Sequence, residues 1–259
     1  MYNDKVRAKK RLGQHFLKNE DIARRIAEAV RTPDAYVLEI GPGMGVLTQY
    51  LLQQPFADLS VVELDEESVA YLQQHFPQLG ENLIAGDFLR MDLAERYADK
   101  FVIVGNFPYN ISSQILFKVL DYKDQAVEVV GMFQKEVAER VAAGPGSKTY
   151  GILSVLLSAF YNIEYLFTVP EHVFNPPPKV KSAVIRLTRN EVTSLDCDEK
   201  RFTQVVKAGF NQRRKTLRNA LRQLGTPLDT VPDTLLAQRA EQLSVEDFVT
   251  ITKAIESCL

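Results

Sequence analysis

Between Tyr36 and Phe133 five short apolar runs alternate with stretches of helical periodicity. The runs are YVLEI (36–40), LSVVEL (59–64), NLIAGD (82–87), FVIVGN (101–106) and VEVVGMF (127–133). Strands of this length separated by helices cannot pair as simple hairpins. Each helix is a crossover, and the strands it joins lie parallel with helices on both faces of the sheet. IEYLFTV (163–169) and SAVIRL (182–187), with a long Pro-rich connection, can complete the sheet at seven strands. Residues 19–30 read as a helix capped by Asn19, and 66–75, 134–143 and 150–160 read as further helices. After about residue 190 the pattern changes: 199–209, 211–224, 233–242 and 244–257 all read helical with no strand between them. The chain is therefore expected to divide into an α/β domain at 1–190 and a small helical domain at 191–259.

The first run enters Gly41-Pro42-Gly43-Met44-Gly45, which precedes a helix. Glycines in such a turn let the backbone bend tightly and approach a ligand closely. About 20 residues later Glu63 stands at a strand end, where an acid would grip a ribose diol. Asp87 ends the third run, placed to accept from an adenine amine. Asp65 rivals Glu63 but is better placed to start the next helix. The spacing is GxGxG rather than the GxGxxG of dinucleotide folds, and the set favours S-adenosylmethionine (SAM), which has no pyrophosphate to bind. Gly41, Gly43, Glu63 and Asp87 are thus candidate cofactor residues in a Rossmann-like fold.

Asn106-Phe107-Pro108-Tyr109 follows the fourth run. An exocyclic amine on adenine is a poor nucleophile because its lone pair is conjugated with the ring. Two acceptors, the Asn106 side-chain oxygen and the Pro108 carbonyl, would hold its hydrogens and favour the pyramidal form. Tyr109 offers a face on which the base can stack. The same motif serves DNA adenine and glutamine methyltransferases, so it specifies the nucleophile class rather than the substrate.

Charge narrows the substrate. Net charge is −2, but residues 1–18 carry +5 and residues 201–222 carry +7, which leaves −14 on the rest. Two basic segments on an acidic body are an electrostatic footprint for a polyanion. Within 211–224, read as one helix, Arg214, Arg218 and Arg222 form a stripe free for phosphates, flanked by Arg213 and Lys215. Arg11, Lys179 and Lys181 are further candidates. Cys197 and Cys258 are isolated thiols that fit a reducing compartment, and the cytoplasm is the expected location. The three histidines have no zinc spacing, so no metal is expected. No run approaches the ~18 apolar residues of a membrane span, so no membrane partner is expected.

Longer matches make a resemblance specific. RLGQHFL (11–17), EIGPG (39–43), VVELD (61–65), GNFPYNIS (105–112), FQKEVAER (133–140), VPEHVFNPPPKVKSAVIRL (169–187) and AGFNQRRKTLRNAL (208–221) together resemble the KsgA family of small-subunit rRNA adenine dimethyltransferases. The resemblance implies a SAM-dependent methyltransferase fold with a C-terminal helical RNA-binding domain. It implies dimethylation of two adjacent adenines in a hairpin near the 3′ end of small-subunit rRNA, late in assembly of the small ribosomal subunit, by a monomer. It also implies that His15, Leu17, Gly41, Glu63, Asp87 and Asn106 occupy SAM-contacting positions, and that Phe174 sandwiches the flipped base with Tyr109. Ordinary core packing is the other reading of Phe174. Three residues depart from the family's pattern: His15 replaces Asn, Phe107 replaces Leu, and Lys181 replaces Asp. The nearest alternative is the related class that dimethylates one large-subunit adenine. A binding factor without catalysis on the same fold is a second.

Overall fold

A computed structural model describes residues 6–258. In chain order the elements are β1 (Phe16–Leu17), α1 (Glu20–Glu28), β2 (Tyr36–Ile40), α2 (Thr48–Leu51), β3 (Asp58–Glu63), α3 (Glu66–His75), β4 (Leu83–Ala85), α4 (Leu93–Arg96), β5 (Phe101–Asn106), α5 (Ser112–Asp121), β6 (Ala126–Gln134), α6 (Lys135–Val141), α7 (Ile152–Ser158), β7 (Tyr161–Val169), β8 (Phe174–Asn175), β9 (Ser182–Arg189), α8 (Glu199–Asn211), α9 (Leu217–Leu221), α10 (Asp233–Leu236) and α11 (Val245–Glu256). The chain forms two compact units. One runs to Ala138 and resumes over Ile163–Arg189; the other joins Glu139–Asn162 to the residues from Asn190 onward.

The first unit is built on a seven-stranded sheet of order β4-β3-β2-β5-β6-β9-β7. The pairings β2–β3, β2–β5, β3–β4 and β5–β6 are parallel, and β6–β9 is antiparallel. This is the mostly parallel sheet expected from the alternating runs. Its central strands are buried on both faces, and Phe101, Val102, Ile103 and Val104 of β5 are fully enclosed. Such strands read as continuous apolar runs rather than as alternation. α1 is amphipathic as expected: Asn19 accepts from the Ile22 backbone N–H at 2.9 Å, and Ile22, Ala23, Ile26 and Ala27 are buried. A second, two-stranded sheet pairs β1 with β8, Phe16 opposite Asn175 and Leu17 opposite Phe174.

The second unit is helical, and it begins earlier in sequence than the expected boundary at 190/191. Residues 139–162 group with the C-terminal helices because their loop is bound there. Gly146 N–H donates to the Glu241 carbonyl at 2.7 Å, and the Tyr150 ring meets Phe210 edge-on at 5.8 Å. The core comes from Phe202, Val205, Val206, Leu217, Leu221, Phe248, Ile251 and Ile255. Ser244 caps α11 in a reciprocal box with Asp247.

The expected helix 211–224 is not continuous. α8 ends at Asn211, residues 212–216 form a turn, and α9 starts at Leu217. Thr216 is extended (φ −62°, ψ 154°), and the Leu217 N–H donates to the Gln238 carbonyl at 2.7 Å. The polar run Gln212–Thr216 has no apolar face to bury, so these tertiary partners prevail over helix propensity. Arg214, Arg218 and Arg222 therefore do not form one helical stripe.

Candidate active site

The order of strands fixes where a ligand can lie. From β2 the chain moves outward through β3 and β4, then returns to the other side of β2 as β5. Loops leaving β2 and β5 diverge at this switch point and open a crevice beyond the strands' carboxyl ends. Gly41–Gly45 leave β2 and Asn106 closes β5. Residues of both loops line one cavity of about 880 Å³, part of it open to solvent. His15, Gly41, Gly43, Glu63, Asp87, Asn106, Pro108 and Tyr109 all line it. Eight candidates from five separate segments of sequence thus converge on one place.

The glycine loop is held open by its conformation. Gly41 and Gly43 have φ of 65° and 59°, a region costly for any side chain. A Cβ on Gly43 would stand 2.8 Å from the Phe16 ring. The Gly43 N–H donates to Glu63 Oε2 at 3.0 Å, and the Asp65 N–H donates to Glu63 Oε1 at 2.8 Å. Burial pushes the Glu63 carboxyl above its ordinary range, against the lowering effect of those backbone bonds. Deeper still, Glu39 is enclosed and accepts from Thr48 Oγ1 at 2.7 Å. Burial drives its pKa to about 8 despite that bond, with the nearby Glu63 adding to the effect. Asp87 caps a short turn by accepting from the Leu89 N–H at 2.9 Å.

Asn106 is oriented by the N-terminal segment. Its Nδ2 donates to the His15 backbone carbonyl at 3.0 Å. The Pro108 carbonyl accepts from Ile111 N–H at 3.2 Å and keeps a second lone pair. Tyr109 hydrogen-bonds Ser182 Oγ, and burial raises its phenol pKa, partly offset by that bond. The His15 imidazole stacks on Tyr109 with centroids 5.3 Å apart, and its Nδ1 meets the Pro176 carbonyl at 2.8 Å. Phe107 lies buried beneath the loop, edge-on to Phe133 at 5.0 Å. There it covers two glycines: a Cβ on Gly105 or Gly131 would come within 2.8 Å or 2.3 Å of its ring.

Two candidates lie elsewhere. Leu17 and Phe174 face each other across the β1–β8 pair, 5% and 1% exposed, and belong to the hydrophobic core. Phe174 does not line the cavity here: its side chain packs in the apolar cluster with Val169 and Val173. Leu17 likewise packs inward, while its neighbour Phe16 reaches the cavity. Sequence reasoning missed Gln14, Phe16, Leu64 and Phe88, which also line it. Leu64, 54% exposed next to an acid at a strand end, was the one with a local signal.

A sequence model of the family described as ribosomal RNA adenine dimethylase matches residues 5–257. The chain belongs to the ribosomal RNA adenine dimethylase family. Members are SAM-dependent rRNA adenine dimethyltransferases, and this dimethylase shares their enzyme class. It is 62% identical to the ribosomal RNA small subunit methyltransferase A of Cytophaga hutchinsonii, over 97% of this chain and 98% of the relative. It is 59% identical to the protein of that name from Bacteroides thetaiotaomicron, over 98% and 96%. Among solved structures, a dimethyladenosine transferase from Plasmodium falciparum superposes with a TM-score of 0.79 at 26% identity, covering 94% of this chain and 98% of that one. A 23S rRNA methyltransferase shares the fold, with a TM-score of 0.72 at 24% identity over 93% and 99%.

The dimethylase's expected RNA residues divide between the units. Arg11, Lys179 and Lys181 are exposed on the first. On the second, Arg214, Lys215 and Arg222 are exposed, while Arg218 is ion-paired with Asp233. Arg213 is committed internally: its Nε donates to Glu241 at 2.7 Å and its guanidinium to the Lys148 carbonyl at 2.5 Å. In the N-terminal basic segment Lys9 is likewise paired, with Asp65 and Glu67.

Proposed function

We propose that this chain dimethylates the N6 amines of two adjacent adenines in a hairpin near the 3′ end of small-subunit rRNA, during late assembly of the small ribosomal subunit. The observation that carries the reading is the meeting of Asn106 and Pro108 with Gly41, Glu63 and Asp87 on a single cavity. The lining fits SAM. Glu63 closes β3 and Asp87 lies just beyond neighbouring β4, Ile40, Val62, Leu64 and Phe88 give apolar contact, and a Cβ at Gly86 would meet nothing within 4 Å. Glu63 would accept from ribose hydroxyls, Asp87 from the nucleoside amine, and the Gly41–Gly43 backbone would lie against the amino-acid end. When bound, SAM supplies an electrophilic methyl group on a positively charged sulfur.

The protein's part is position. A stacked base cannot reach the cavity, so the target adenine must flip out, at a cost of a few kcal/mol. Tyr109 returns part of this by stacking, roughly 1–3 kcal/mol. Asn106 Oδ1 and the Pro108 carbonyl accept the two amine hydrogens and hold the lone pair toward the cofactor side. No side chain has to act as a strong base, because the methylated ammonium is acidic. Arg11, Lys179, Lys181, Arg214, Lys215, Arg218 and Arg222 would meet phosphates. The chain would work as a monomer in the cytoplasm.

Labelled SAM incubated with unmethylated small subunits tests the reading, with primer extension locating the product. Two adjacent modified adenines near the 3′ end are expected. Modification of a single large-subunit adenine would favour the other class, and SAM binding without transfer would favour a binding factor.

A further inference from the structure

Asp65 lies two residues beyond Glu63; its backbone N–H holds that acid, but its side chain has no part in the chemistry above. Its side chain is 1% exposed, yet it is not idle. It pairs with Lys9 Nζ, accepts from Gln14 Nε2 at 3.3 Å and from Ser68 Oγ at 3.0 Å. Two of these donors come from the N-terminal segment. Gln14 also accepts the Lys9 backbone N–H at 2.7 Å, which folds that segment into a closed loop.

The residues that follow form one wall of the cavity. Gly13 sits so close to Asn110 that a Cβ would stand 2.6 Å from its Oδ1, and φ at Gly13 is 64°. The His15 carbonyl takes the Asn106 amide, and Phe16 covers Gly43. Downstream the segment is secured by the β1–β8 pair and by Lys18 N–H donating to the Val173 carbonyl at 2.8 Å. Upstream it is secured at Asp65.

We infer that Asp65 is a positioning residue: with Lys9 and Gln14 it latches the upstream end of this segment over the cavity, and so sets cofactor affinity and, through the His15 carbonyl, the aim of Asn106. The upstream end is the one that opens, because it is held by side chains whereas the downstream end is held by backbone pairing. Burial favours the neutral acid at Asp65, but the bonds from Lys9, Gln14 and Ser68 outweigh it and hold the pKa below its ordinary value. The latch carboxylate is therefore ionised, as an ion pair requires. The inference rests on the cofactor reading of the cavity, but the state of the segment can be followed without it.

Trypsin supplies the readout, since Lys10 and Arg11 are exposed within the segment. The full chain is compared with Asp65→Asn, Lys9→Ala and Lys9→Arg for cleavage of the Arg11–Leu12 bond and for affinity toward S-adenosylhomocysteine, the demethylated cofactor. Lys9→Ala and Asp65→Asn should cleave several-fold faster and bind about tenfold more weakly, the scale of one charge-assisted bond. Lys9→Arg should behave as wild type, and saturating S-adenosylhomocysteine should restore protection in every variant. Should Asp65→Asn fail to fold, Lys9→Ala decides, because it alters only a partly exposed side chain. Wild-type cleavage and affinity in Lys9→Ala would overturn the latch, as would loosening by Lys9→Arg equal to that by Lys9→Ala. Wild-type protein that binds no S-adenosylhomocysteine would instead overturn the cofactor reading, while faster cleavage of Lys9→Ala would still support the latch.

Discussion

The Asn106 side chain gives its nitrogen to the His15 backbone carbonyl at 3.0 Å, and this leaves its oxygen as the group facing the cavity. A carbonyl oxygen can only accept, so the amide cannot be the other way round. Replacing Asn106 with Ala removes the acceptor without adding bulk. Methyl transfer should fall by about a hundredfold or more, the scale of losing one preorganised polar group at a reacting centre. S-adenosylhomocysteine affinity, read by calorimetry, should change far less. Transfer by the variant at the wild-type rate would refute the assignment.

Phe174 and Tyr109 should separate cleanly. Phe174→Ala empties a site in the core, and Phe-to-Ala changes of that kind cost about 3–5 kcal/mol. Phe174→Leu should keep transfer near wild type while lowering the melting temperature modestly. Tyr109→Ala should do the reverse, weakening reaction with RNA while leaving the fold largely intact. If Phe174→Leu loses transfer at unchanged melting temperature, Phe174 touches the substrate after all.

Glu39 gives the protein a pH dependence whose sign can be stated. Folded, it keeps its proton up to about pH 8, against a value near 4.5 when free. Between those limits the native state binds more protons than the unfolded chain, so this group's contribution declines as pH rises. Glu39→Gln removes the effect. The stability of the variant relative to wild type should improve from about pH 5 to about pH 8, by at most about 1.4 kcal/mol per pH unit. Denaturant titrations across that range would show it, and a difference that stays flat would argue that the carboxyl ionises normally.

The basic cluster of the second unit should behave as two populations. Arg213 holds Glu241 and the Lys148 carbonyl, so Arg213→Ala should lower stability by about 1 kcal/mol, a partly exposed pair being worth no more. Lys215 is exposed. Lys215→Ala should leave stability within about 0.5 kcal/mol and reduce the salt dependence of RNA binding by about one counterion. Equal effects of both on binding, with no loss of stability from the first, would contradict this division.

The parallel strands and most of the candidate residues that line the cavity were legible because each rests on local sequence. β5 was expected at 101–106 and spans Phe101–Asn106. The glycine loop, the strand-end acids and the Asn106 motif need only the topology to bring them together. What was not legible is non-local. β1 has two residues, too few for any period to register, and its partner β8 lies more than 150 positions away. An aromatic residue in a Pro-rich loop reads the same whether it turns outward to a base or inward to the core, as Phe174 does. The break after Asn211 depends on Gln238, a partner no window on 211–224 contains.

Phe107 carries one consequence for how this loop can vary. Its ring stands in the space a side chain at position 131 would enter, so bulk at 107 and the bare backbone of the neighbouring strand β6 are sterically coupled. A chain that acquired even a methyl group at 131 would have to move or surrender volume at both 107 and 133 in the same step. The residue that follows Asn106 is thus constrained from β6, a strand whose residues do not line the cavity.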